Sequence, residues 1–310
     1  GGAEWSLPSS VGTFAVQGEG FAALLASLEG LSEFVDLEIV ADQSRLVVKA
    51  ATFEGSYTVY PPGLEVPKEW IERAAPKTAV EVDEAWWSDV ASVRQSASQD
   101  DGKPFLQGVF WAPDGRLVAC DNIRATLCAA GRTPPSPDGV LIPSALLSSL
   151  GATPGFTRAA LEEAALWFLA RGGSTYGRLA SSAFPPGVVL LIEGSRKKSE
   201  GGTKVEFAAD PRATVDRILL FAKKEPYTIK VSAAKTTATL SVVETDGSGR
   251  EAKESCQARV TGPVAEFNVD GKLLRDAFGI SSRFWFAKGA PLYFRSADDR
   301  IEHILSTLVA

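Results

Sequence analysis

The strongest constraint on this chain is an internal repeat. About every 60 residues a helix-sized amphipathic run is followed by strand-and-turn patterns, and a period of that length has to be read before any single motif. Residues 20–28 put Phe21, Leu24, Leu25 and Leu28 on one helical face. Strands at 35–40 and 45–50 follow, and a third ends at Tyr60, with the apolar–polar alternation of sheets that have one wet face. The order then recurs. A second unit runs from a strand at 79–82 through a helix at 84–97 to strands at 106–111 and 116–120. A third has a strand at 140–142, a helix at 144–150 and a hairpin at 166–171 and 174–181. A fourth has a strand at 205–207, a helix at 211–224 with Pro at its first turn, and strands at 227–232 and 237–244. A fifth has a strand at 265–269, a helix at 271–278 and strands at 283–287, 292–296 and 302–308. The expected fold is α+β, built from repeated βαβββ units.

The remaining features mostly exclude. The chain is 310 residues long, 45% hydrophobic and 23% charged, enough for two or three domains with real cores. Its net charge of −6 argues against a surface that binds nucleic acid all over, and leaves room for a local basic strip. No run approaches the roughly 18 unbroken apolar residues of a membrane helix, and no charged-then-apolar leader marks it for export. Cys120, Cys128 and Cys256 cannot all pair and show no CxxC spacing, so a reducing cytoplasm is the simple expectation, with no metal and no cofactor. The one histidine, His303, stands near no nucleophile elbow, and phosphate-binding glycine motifs are missing. The chain is expected not to be an enzyme.

Breaks between units are uneven. Pro61-Pro62-Gly63 with Pro67 reads as a stiff linker, and 193–204 (EGSRKKSEGGTK) as a second linker or exposed loop. This divides the chain into 1–76 with one unit, 77–193 with two, and 194–310 with two. Trp86, Trp87 and Trp285 read as core or interface packing rather than base-stacking platforms.

Several local strings, in order, resemble the sliding clamp of bacterial replication, the β subunit of DNA polymerase III. They are Phe105-Leu106-Gln107-Gly108-Val109-Phe110, Leu117-Val118-Ala119-Cys120-Asp121-Asn122-Ile123-Arg124-Ala125, Val140-Leu141-Ile142-Pro143, Phe184-Pro185 and Glu266-Phe267-Asn268-Val269. The resemblance covers roughly residues 20–310. Three departures stand out: one unit in the first domain where the family has two, only Asp121 and Arg124 kept in the TDGHR-like string, and a closing Ser306-Thr307-Leu308-Val309-Ala310. A divergent, phage-encoded clamp would explain them.

The resemblance implies a non-catalytic ring, with sheets outside and helices lining a hole for duplex DNA. It implies a homo-oligomer, a dimer by preference, that tethers a DNA polymerase and other motif-bearing proteins, with a clamp loader left open as a further partner. Helices that face sliding DNA need cations without tight base contacts. The candidates are Arg94, Lys103, Arg212, Arg217, Lys223, Lys224, Lys272 and Arg275. The family's peptide pocket, which takes a QL-[SD]-LF-like tail, carries over to Leu106, Cys120, Asn122, Ile123, Arg124, Ala125, Pro185 and Leu190, with Ile304, Leu305, Ser306, Thr307 and Leu308 from the last strand. The other reading open at this level is a β-rich assembly or protein-binding protein, such as a viral structural protein, that encircles nothing.

Overall fold

The computed structural model describes residues 36–40, 45–50, 53–58, 76–150, 155–163, 165–170, 173–179, 183–222, 226–243 and 251–308. The chain divides into two compact units, 1–74 and 75–310. In the first, β1 (Asp36–Val40), β2 (Arg45–Ala50) and β3 (Phe53–Thr58) form an antiparallel meander whose backbone register pairs position 37 with 48 and position 46 with 57. The helix expected at 20–28 and the proline linker lie outside the described residues.

In the second unit the βαβββ order is seen four times. The first is β4 (Val80–Glu81), α1 (Glu84–Arg94), β5 (Gly108–Trp111), β6 (Leu117–Cys120) and β7 (Arg124–Cys128). Next come β8 (Val140–Pro143), α2 (Ser144–Ser149), β9 (Arg158–Glu162), β10 (Ala165–Ala170) and β11 (Gly173–Arg178). A further helix, α3 (Gly187–Ser199), intervenes. The third repeat is β12 (Thr203–Phe207), α4 (Arg212–Leu219), β13 (Thr228–Ala234), β14 (Thr237–Val243) and β15 (Glu251–Thr261). The fourth is β16 (Ala265–Asp270), α5 (Gly271–Ile280), β17 (Arg283–Phe286), β18 (Leu292–Arg295) and β19 (Ile301–Leu305).

Neighbouring repeats exchange their leading strands. β4 pairs with β9 of the next repeat and β8 with β5 of the one before; β12 and β16 do the same with β17 and β13. No repeat can therefore bury its sheet alone. β15 is long enough to pair with both β14 and β12, and β19 pairs with β7, so twelve strands run in one continuous sheet from β16 to β8.

Alternation along these strands sorts side chains onto two faces. From β5 to β8, Val109, Trp111, Leu117, Ala119, Cys128, Val140 and Ile142 face a core with Trp86, Trp87 and Val90 of α1 and Phe168 of β10. Their sequence neighbours Val118, Cys120, Leu127 and Leu141 face the opposite way, into a second core under Val188 and Ile192 of α3. That is why these strands read as near-continuous apolar runs, whereas β13 and β16, wet on one face, alternate. Trp86 and Trp87 are core residues; Trp285 is half-buried beside Lys204 and Arg283.

The segment 193–204 is not a linker or loop: α3 runs through Ser199 and β12 starts at Thr203. Its buried face is Val188, Ile192, Ser195 and Ser199. The two serines satisfy themselves by donating to the carbonyls of Leu191 and Ser195 at 2.8 and 2.7 Å. A helix can thus seat half its inner face on hydroxyls, without apolar periodicity there. Salt bridges from Arg116 to Glu193 and from Arg196 to Glu302, both 3.1 Å, fix its flanks.

His303 is a core residue. It is 2% exposed, its Nδ1 lies 2.8 Å from Thr126 Oγ1, and that hydroxyl lies 2.6 Å from Ser96 Oγ. Burial, with Arg124 nearby, pushes its pKa down to about 3. The unfolded chain takes up this proton near pH 6.5, whereas the folded one stays neutral until about pH 3, so the stability contribution is complete above pH 6.5 and falls with pH below it. The unfolding free energy from urea titrations is expected to drop from pH 6 to 4.5 with a slope of up to about 1.4 kcal/mol per pH unit, and His303→Asn is expected to flatten that slope. An unchanged slope in the variant would assign the acid sensitivity to other groups.

Candidate functional site

The turn between β6 and β7 is built by Asp121. Its Oδ1 accepts from the backbone N–H groups of Ile123 and Arg124 at 3.0 and 2.9 Å, which folds the chain tightly enough to put Asn122 at φ 75°. That left-handed conformation suits asparagine, whose short polar side chain tolerates it. Arg124, 13% exposed, is gripped by Asp121 at 2.9 Å and by Asp276 of α5 at 2.8 Å. The two residues that survive in the TDGHR-like string are therefore the ones that shape the turn and tie it to the next helix pair. The N–H of Ser306, just past β19, donates to the Ile123 carbonyl at 2.8 Å and closes the ring of backbone.

These contacts leave a cavity of about 300 Å³ between the turn, the end of β19, the segment before β5 and the start of α3. Leu106, Cys120, Ala125, Pro185 and Ile304 give it an apolar lining; Asn122, Arg124 and Ser306 supply polar groups, and Ile123, half exposed, stands at its edge. Phe105, Gly187, Val188 and Leu191 line it as well, although sequence reasoning did not single them out; each adjoins or lies a few positions from a residue that it did. Gly108 sets how closely β5 approaches β8, because a Cβ there would sit 2.3 Å from the Ile142 carbonyl oxygen. Burial raises the Cys120 thiol pKa, so it lines the cavity as a neutral, weakly polar group.

Four residues expected at the pocket are placed elsewhere. Leu305 is fully buried in the core with Val215, Leu274, Phe278 and Phe294, because successive residues of β19 face opposite sides and Ile304 takes the cavity side. Leu190 is 68% exposed on α3 and turned away from the cavity. Thr307 and Leu308 lie beyond it, and Leu308 donates its N–H to Asn268.

Two helix pairs carry Arg94, Arg212, Arg217, Lys272 and Arg275, and Lys103 stands in the segment between α1 and β5. Arg94 of α1 reaches Ser148 of α2, and α4 packs on α5. Most of the cations are already partnered. Lys103 pairs with Asp100 at 3.0 Å, Arg212 with Asp210 at 2.6 Å, Arg217 with Glu254 at 3.0 Å, and Arg275 with Asp216 at 2.5 Å. Lys272 stands 3.8 Å from the centre of the Tyr227 ring. The Arg217 guanidinium, with Thr214 adding a hydrogen bond, holds the Glu254 carboxyl below its usual range. Lys223 and Lys224 lie outside the described residues. Among the described residues no group of His, Cys, Asp and Glu is placed to hold a metal ion, and no helix is long and apolar enough to cross a membrane.

No protein-family model matches the chain, and no curated protein matches it in sequence. Solved structures do match. The DNA polymerase III β subunit of Thermotoga maritima superposes with a TM-score of 0.73 at 17% identity, over 96% of this chain and 81% of that one. The chain has the sliding-clamp fold. The β chain from Streptococcus pneumoniae gives 0.72 at 17% identity, over 98% of this chain and 82% of that one. The sliding clamp of Bartonella birtlesii, solved bound to griselimycin, gives 0.72 at 17%, over 93% and 81%. The repeated βαβββ units described above are the part of the architecture on which this likeness rests.

Proposed function

We propose that this chain is a DNA sliding clamp, a non-catalytic processivity factor that encircles duplex DNA and holds a polymerase through a short peptide seated in the cavity. The observation that carries the reading is the cavity itself. Residues from 105–106, 120–125, 185–191 and 304–306 converge on one apolar hollow with a few polar groups, on a clamp fold. Its volume of about 300 Å³ is at the small end for a ligand site, which fits one or two anchoring side chains rather than a whole cofactor. In this reading 77–193 and 194–310 are each a clamp domain, 1–76 contributes one further unit, and copies close into a ring, a dimer by preference, in the cytoplasm.

The direct test is fluorescence anisotropy with a labelled QLSLF peptide. Saturable binding is expected, weakened at least tenfold by Ile123→Asp, which sets a carboxylate at the cavity edge where the wild type is 48% exposed and the fold tolerates it. Absence of saturation at high protein concentration would remove the tethering role.

The paired cations favour a second reading, an assembly protein that does not hold DNA, and they also make the DNA role testable. A guanidinium held by a carboxylate releases less counterion when a phosphate approaches. Glu254→Gln, which frees Arg217, is therefore expected to lengthen retention on circular DNA about two- to threefold at low salt, and Arg217→Glu to shorten it. Retention that responds to neither substitution would take the α4–α5 face out of the hole.

A further inference from the structure

The exposed face of α3 carries a pattern that the cavity alone does not account for. Leu190 and Leu191 are 68% and 51% exposed, and one heptad later Lys197 and Lys198 are exposed on the same face. Gly194 lies between the two pairs, with nothing within 4 Å of where its Cβ would be. The stripe runs from two leucines, one of them lining the cavity, over a smooth step to two lysines. Of the other charges along it, Glu193 is paired with Arg116 and Arg196 with Glu302, and the exposed C-cap Glu200 forms no salt bridge with either lysine. No acidic group among the described residues pairs with Lys197 or Lys198. On a chain of net charge −6, two adjacent free ammonium groups at the end of an apolar stripe favour an anionic partner locally.

We propose that this face of α3 is a specificity extension of the cavity: it takes acidic residues that flank the apolar anchor of a partner protein's peptide. The inference rests on the cavity being a peptide site. Seven helical residues separate Leu191 from Lys198, a rise of about 10 Å, which an extended peptide spans in about three residues. The favoured ligand thus has an apolar anchor in the cavity and acidic side chains about three positions away, passing over Gly194. A side chain at position 194 would stand in the path.

The test compares two labelled peptides with the same QLSLF centre. One carries Glu-Glu three residues from the centre on both sides, and the other carries serines there. At low salt the acidic peptide is expected to bind the full chain about three- to tenfold tighter than the neutral one. That advantage should vanish in Lys197→Ser with Lys198→Ser and in 0.5 M salt, both of which remove the electrostatic pairing. The neutral peptide should bind the wild type and the double variant alike. Equal binding of the two peptides to the wild type, or an acidic advantage that survives loss of the lysines, would overturn the extension while leaving the cavity site standing. Failure of both peptides to bind would instead overturn the cavity site and the extension with it.

Discussion

Leu305→Asp is expected to abolish the cooperative fold of the 75–310 unit, whereas Ile123→Asp is expected to leave it intact. Leu305 has no exposed surface and sits among Val215, Leu274, Phe278 and Phe294 where β19 meets the α4–α5 core. A carboxylate there loses the apolar contacts of leucine and has no hydrogen-bond donor built to receive it. The two effects together put the cost at or above about 4–5 kcal/mol, a large part of the stability of an ordinary domain. Urea unfolding followed by circular dichroism checks it: Leu305→Asp should be unfolded or insoluble at 25 °C without urea, and Ile123→Asp should unfold at a urea midpoint close to that of the wild type. A folded Leu305→Asp protein that had lost only peptide binding would put Leu305 in the cavity after all. The contrast makes Ile123, rather than a residue of the last strand, the position at which peptide binding can be probed separately from stability.

That difference was within reach of the sequence. Ile304 and Leu305 are adjacent in a strand, so they cannot share a face, and one apolar side chain had to belong to the other core. What was not readable is how the repeats use each other. The βαβββ order is local, carried by turns such as Pro113-Asp114-Gly115 and by helical faces such as Leu274, Ala277 and Phe278. The exchange of β4 for β8 and of β12 for β16 is a pairing between distant segments, which no local pattern encodes. Helix α3 was hidden for a different reason. Its sequence, rich in serine, glycine and lysine, mimics a turn, and its inner face is completed by serines bonded back to their own helix. The cavity sits where these long-range features meet. Asp121 and Arg124 were legible only as parts of the family-like string, and the turn itself rests on Asp121, whose side chain accepts from the backbone of Ile123 and Arg124; the wall made by Val188 and Leu191 requires a helix that the pattern disguises.

The ring reading makes its own large prediction at the end of α4. Leu220 is 77% and Phe221 is 42% exposed, side by side just after the helix, while Ala222 beyond them is buried. Exposed apolar residues are ordinary when scattered; two large adjacent ones at the end of a helix are what a subunit contact leaves uncovered in a single copy. Covering most of the leucine and part of the phenylalanine is worth about 3 kcal/mol, or roughly a hundredfold in the association constant of one interface. A closed ring of two copies repeats the contact, and both must hold for DNA to stay enclosed. Leu220→Glu with Phe221→Glu replaces that gain with two desolvated charges and, because both positions face solvent in the single copy, should leave each copy folded. Native mass spectrometry is expected to show a closed oligomer for the wild type and single chains for the double variant, with retention on nicked circular DNA lost in parallel. A wild type that stays a single chain at high concentration would rule out encirclement by copies of this chain and move weight to the assembly reading. An oligomer that survives both substitutions would keep the ring and place its joint on another surface.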